Sequence, residues 1–168
     1  RQQAGAVIDI ILVIAAVPFV VPFYLNYGSQ SLDGLAYLDT SHPGDAAAVE
    51  YLRNLPSSQD MRIVEAEGGD YGYYSRISSF TGIPAIIGWP FHEYMWRGDD
   101  TGWYSGRLND IRAIYEQPEK TIPLMRKYNV TYLVVGNPER EKYKVNLPSS
   151  GRELVFSQDG TEINRASV

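Results

Sequence analysis

The chain has 168 residues, 21% charged and 44% hydrophobic, which fits one globular domain with a sizeable core. A net charge of −5 without a dense Lys/Arg cluster excludes a nucleic-acid-binding face, because phosphate recognition needs basic side chains. The absence of cysteine excludes disulfides, cysteine-ligated zinc and thiol nucleophiles.

In chain order, Ala4–Leu25 comes first, nearly unbroken apolar apart from Asp9, Pro18 and Pro22. About 20 such residues suffice to cross a bilayer, so the stretch predicts a transmembrane or membrane-embedded helix, with a buried core helix as the alternative. A signal peptide would want a basic leader and a shorter apolar core, and Arg1 alone is a thin leader. Residues 26–44, rich in Gly, Ser, Asp and Asn, read as a linker. Asp45 is then expected to cap a helix reaching Leu55, with Ala48, Leu52 and Leu55 on its apolar face. Residues 61–66 (MRIVEA) predict a first strand with Ile63 and Val64 in the core.

A short helix follows over Tyr73–Thr81, stopped by Gly82 with Pro84 behind it. Ile83–Gly88 is short and mostly apolar, as in a strand buried on both faces. Trp89–Arg97 mixes aromatic and ionisable side chains without a clean period, and reads as a loop after that strand. A helix capped by Ser105 carries Leu108, Ile111 and Tyr115, and a second starts near Ile122 with Pro123 in its first turn. Residues 130–135 (VTYLVV) are the clearest strand. Residues 153–158 and 161–166, joined by Asp159-Gly160, predict a hairpin.

This alternation predicts an α/β domain over residues 45–168: a mainly parallel sheet flanked by helices, with a C-terminal antiparallel hairpin and the apolar helix in front. In such sheets ligands bind beyond the carboxyl ends of the strands. Three sets of polar and aromatic residues fall there: Glu67 and Asp70; Trp89, His92, Glu93, Trp96 and Arg97; and Asn137, Glu139 and Arg140. Aromatic faces beside acids and an arginine suit a saccharide, whose C–H faces stack on rings while its hydroxyls take polar partners.

Catalytic templates are mostly incomplete. Two histidines, His42 and His92, without an HExxH pattern leave a zinc hydrolase without its ligands. There is no G-x-S-x-G elbow, P-loop or G-x-G-x-x-G, so neither a catalytic residue nor a cofactor is expected. Glu67 and Glu93 could serve a glycosidase, but two acids near a sheet edge are a weak signal. A hydrogen-bonded His92-Glu93 pair holding the loop is favoured over a catalytic dyad. Arg97 is expected to pair with Asp99, Asp100 or Glu93.

Several stretches together resemble a known family: SLDGLAYL (31–38), DAAAVEYLRNL (45–55), YSRISSFTGIPAIIGWPFHEYMWRG (74–98), DIRAIY (110–115) and KYNVTYLVVGNPEREKY (127–143). They look like the C-terminal extracytoplasmic region of the archaeal and chloroflexal "YYY" membrane proteins, over about residues 31–166. Those proteins are similar in turn to large membrane glycosyltransferases that use lipid-linked sugars. In that class a helical membrane domain does the chemistry, and a smaller α/β domain often follows the last helix outside the membrane. The resemblance implies a cell-membrane protein in which Ala4–Leu25 stands at the last membrane helix, although Asp9 and two prolines depart from a good span. It also implies an accessory role, binding a saccharide, acceptor or lipid-linked sugar while the catalytic acid lies upstream. A non-enzymatic cell-surface binding or structural module is the alternative, and a free-standing hydrolase is a third reading.

Overall fold

The structure, a computed structural model, describes residues 33–56, 61–98 and 102–167. Ala4–Leu25, with the expected membrane helix, lies outside the described residues. Among those described, no helix is long and apolar enough to cross a membrane. Residues 33–36 belong to a separate unit at the start of the chain, and everything below concerns the unit that begins at Tyr37.

Its elements are α1 (Ala36–Ser41, shared at its first residue with the preceding unit), α2 (Pro43–Arg53), β1 (Ile63–Val64), α3 (Arg76–Thr81), α4 (Pro90–Arg97), α5 (Trp103–Glu116), α6 (Pro118–Lys127), β2 (Tyr132–Val135), α7 (Asn137–Lys142), β3 (Arg152–Gln158) and β4 (Thr161–Ala166). The strands form one sheet in the order β1-β2-β4-β3. Only β1 and β2 run parallel; β4 inserts antiparallel beside β2, and β3 pairs antiparallel with β4. The domain is therefore mixed α/β, as expected, but its sheet is not mainly parallel.

The difference arises at Ile83–Gly88. This stretch makes a single parallel bridge, Ala85 to Ile63, and one backbone bond from the Ile63 amide to the Pro84 carbonyl. Its other ladder groups are diverted. Pro84 has no N–H, the Ile86 carbonyl accepts from Arg107 Nη1 at 2.8 Å, and the Gly88 amide donates to Glu93 Oε1 at 2.8 Å.

The two faces of the sheet alternate as strand geometry requires. Val64, Leu133 and Val135 join Ile111, Ile114 and Tyr115 of α5 and Met125 of α6 in one buried cluster. Ile63, Val134 and Ile163 are equally buried, and α2 packs over β3 and β4, with Tyr51 against Phe156 at 5.2 Å. All four residues of β2 are buried, as their unbroken apolar run predicts. In the hairpin, Asp159 and Gly160 both take positive φ (45° and 81°), the geometry of a two-residue turn that follows strand twist.

Several boundaries differ from expectation. Residues 36–41, read as linker, form α1 and bury Leu38. α2 begins at Pro43, so Asp45 sits inside its first turn instead of capping it. α5 begins at Trp103, with Gly102 as its cap. α6 begins at Pro118, which places Pro123 inside the helix, where it forgoes one intrahelical bond. Gly82 ends α3 with φ 75° as expected, its amide bonding the Ser78 carbonyl at 2.8 Å.

Candidate functional site

Around the carboxyl ends of β1 and β2 lies a set of buried ionisable side chains. Glu65 follows β1 directly, and its two oxygens accept the Ile77 and Ser78 amides of α3 at 2.9 and 2.8 Å. A carboxylate there satisfies orphan N–H groups and faces the positive end of the helix. The next residue of α3 inward is Arg76, whose guanidinium is buried. Its Nε donates to Asp45 Oδ2 at 2.5 Å and its Nη2 to Asp45 Oδ1 at 3.1 Å. Nη1 and Nη2 reach the two oxygens of Glu139 at 3.0 Å each. Both carboxylates are thus held by the fork geometry that arginine, and not lysine, supplies.

Each acid has further donors. Glu139 Oε1 accepts the Ala66 amide and Oε2 the Gly136 amide, both at 2.7 Å. Asp45 accepts from Tyr73 at 2.7 Å and Thr161 at 2.9 Å. Gly136 has to be glycine for space: a Cβ there would lie 2.5 Å from Arg76 Nη2. The cluster therefore ties α2, α3, the end of β1, the start of α7 and the start of β4.

One guanidinium faces three carboxylates, since Glu65 Oε2 lies 3.7 Å from Arg76 Nη1. The acids respond differently. Burial pushes the Glu65 carboxyl above its ordinary value, outweighing the Arg76 charge and the two amide bonds. For Asp45 burial pulls the same way, but the bonds and charge of Arg76, with Tyr73 and Thr161, hold it below. Desolvation works against the Arg76 charge, yet Glu139 and Asp45 hold its pKa above the ordinary value.

A consequence for stability follows. A raised folded-state pKa means that Glu65 contributes most fully below its unfolded value, near 4.5, and loses that contribution as pH rises through the folded value. Glu65→Gln cannot accept both amides, a fixed cost that does not titrate. The deficit in melting temperature of this variant against the parent should accordingly shrink between pH 4.5 and 7. A deficit that widens over that range would mean the carboxylate form is the favoured one.

Glu67, two residues on, points into a second network. It bonds Lys142 Nζ through both its side chain and its carbonyl, and accepts from Tyr143 at 2.9 Å. Tyr143 stacks on Tyr115 at 4.8 Å, and the Tyr115 hydroxyl meets the carbonyls of Val64 and Val134.

Outward from Glu67 a cavity of about 430 Å³ opens, lined by Glu67, Gly68, Gly69, Asp70, Pro90, Phe91, Tyr104 and Leu108. Asp70 Oδ1 is shielded from solvent and has no hydrogen-bond partner among the described residues. An orphaned carboxylate oxygen is costly unless a donor arrives.

Trp89–Arg97, expected as a loop, is mostly the helix α4, with Pro90 at its start and only Pro90 buried. Trp89 is half-buried, its indole N–H donating to the Tyr74 carbonyl at 3.0 Å. The Trp96 indole donates to His92 Nε2 at 3.0 Å. An indole can only donate, so Nε2 is the acceptor and the neutral ring carries its proton on Nδ1, 3.2 Å from the Tyr71 hydroxyl. Glu93 holds the Gly88 amide and pairs with Arg97 at 3.0 Å, so His92 and Glu93 are bonded to other groups and not to each other. Arg97 also lies over the Trp103 ring at 4.9 Å.

The expected residues thus divide. Glu67 and Asp70 line the cavity, beside Phe91 and Tyr104 instead of the tryptophans. Glu139 is buried in the ion cluster. Arg140 turns to the Gly160 carbonyl and Glu162, and Asn137 is exposed at the start of α7. Asp45, Arg76 and Tyr104 are not singled out as site residues by the sequence; the signal that could have found the cluster is Glu65, an acid directly after the apolar pair Ile63-Val64. Among the described residues no group of three or more His, Cys, Asp or Glu is placed to hold a metal ion. Compared with protein-family models, curated proteins and solved structures, the chain shows no match.

Proposed function

We propose that the chain is the extracytoplasmic accessory domain of a membrane glycosyltransferase-like protein and binds a saccharide in the cavity beside β1. Ala4–Leu25 is then the last membrane helix, and the catalytic acid lies upstream. One observation carries the reading: Asp70, whose shielded Oδ1 has no hydrogen-bond partner among the described residues, lines a cavity walled by Phe91 and Tyr104. A sugar hydroxyl donates to the Asp70 carboxylate, and the ring C–H face covers the aromatic side chains. The resemblance of residues 31–166 to the extracytoplasmic region of the "YYY" proteins supports the membrane context. The engagement of Glu67 with Lys142 and Tyr143, and of Glu93 with Gly88 and Arg97, supports a binding role over hydrolysis.

Calorimetric titration of the chain with neutral mono- and oligosaccharides tests the proposal. Binding should weaken at least about tenfold, or roughly 1.4 kcal/mol, in Asp70→Ala and in Phe91→Ala. Both variants should melt with the parent. If the parent binds none of the sugars, or the variants bind as the parent does, the cavity is not a saccharide site.

A further inference from the structure

The exposed side of α4 carries apolar side chains beyond Phe91, the one residue of this helix besides Pro90 that lines the cavity. Phe91 is 60% exposed, Tyr94 41%, Met95 64% and Trp96 80%, and Tyr71, bonded to His92 of the same helix, is 77% exposed. At 100° per residue, Phe91, His92, Tyr94, Met95 and Trp96 occupy one broad arc, while the paired Glu93 and Arg97 share the opposite side. Scattered apolar residues are ordinary on a protein surface, but five aromatic or thioether side chains on one eight-residue helix and its neighbour are not.

We propose that this face of α4 lies in the interface of a lipid bilayer. Trp and Tyr are enriched at membrane–water interfaces, where their amphipathic rings sit at headgroup depth. The helix brings one cation and one anion, and Asp99 and Asp100 follow it in sequence. That balance favours a zwitterionic lipid surface over an anionic one. Chain length argues for the same occupant. The apolar run ends at Leu25, and residues 26–35 span at most about 35 Å even when fully extended. A surface facing lipid gains from burying the aromatic and thioether side chains that α4 displays. This rests on the membrane reading of Ala4–Leu25, and it is tested at Met95, which does not line the cavity.

The chain has no cysteine, so a single introduced one takes a spin label at a unique position. The full chain is reconstituted into phosphatidylcholine vesicles with the label at Met95→Cys or, as a water-facing control, at Leu154→Cys on β3, which is 52% exposed. Label collision with oxygen, which concentrates in lipid, is compared with collision with a water-soluble nickel chelate. The label at 95 should lose access to the chelate and gain access to oxygen relative to the label at 154. Equal chelate access at the two positions overturns the proposal. So does protection of position 95 from both colliders, which marks a protein contact, and so does a chain that stays free of the vesicles.

Discussion

Replacing Arg76 by Met should remove about 3–5 kcal/mol of stability, a large share of what a domain of this size possesses. The side chain is buried and supplies the charge that Asp45, Glu139 and, at longer range, Glu65 face. A methionine of similar length fills the space but leaves those carboxylates in a dry site with one another. Removing one partner of a buried pair costs far more than the pair itself contributes, because the remaining charges keep their desolvation penalty. The backbone amides and hydroxyls that also serve these acids cannot replace a full positive charge.

The pH dependence should identify the cause. Without the guanidinium, burial and mutual repulsion raise the folded-state pKa of the carboxyls, so the variant binds protons more tightly folded than unfolded. Its deficit is then smallest at acid pH and grows as pH rises past the ordinary carboxylate range. Urea unfolding at pH 4.5 and 7 measures this. Arg76→Lys should also lose stability, since a point charge cannot serve Asp45 and Glu139 with two bonds each. Unchanged midpoints in Arg76→Met at pH 7 would show that the cluster contributes nothing to the fold.

That cluster explains much of what was hidden in the sequence. Asp45 and Arg76 are 31 residues apart, and Arg76 and Glu139 are 63 apart. No local pattern marks such a pairing, because an isolated charge in a polar stretch looks like a solvated one. α7 was missed for a related reason. Apart from Pro138 its sequence NPEREK is polar, and its buried acid, Glu139, is held by hydrogen bonds and not by an apolar stripe. α4 does not read as a helix because its apolar residues cover more than half of its circumference and only Pro90 is buried, so the core imposes no period. The local signals that could be read were those with a local cause: the αL stop at Gly82, the Asp159-Gly160 turn and the apolar run of β2. The sheet order was not among them, since whether 83–88 pairs as a strand depends on Arg107 and Glu93 taking its backbone groups.

The same buried run sets the second large effect. Val134 is the third residue of β2, fully buried, with Ile163 of β4 opposite it in the sheet. Its neighbours Leu133 and Val135 point to the α5–α6 side, so Val134 itself faces the layer that holds Ile63 and Ile163. An aspartate there brings a carboxylate into an apolar layer. Among the described residues Arg76 is the only buried cation, and its N–H groups are already engaged by Asp45 and Glu139. The new charge must stay unpaired or take up a proton, and either way Val134→Asp should cost several kcal/mol. Val134→Thr separates charge from shape. It keeps the branched outline and adds one hydroxyl, and should cost only about 1–3 kcal/mol. In urea, both variants should shift the midpoint without changing the slope, with aspartate well below threonine. Equal midpoints for the two, or an aspartate variant as stable as the parent, would place β2 at an edge open to water and not at the centre of the sheet.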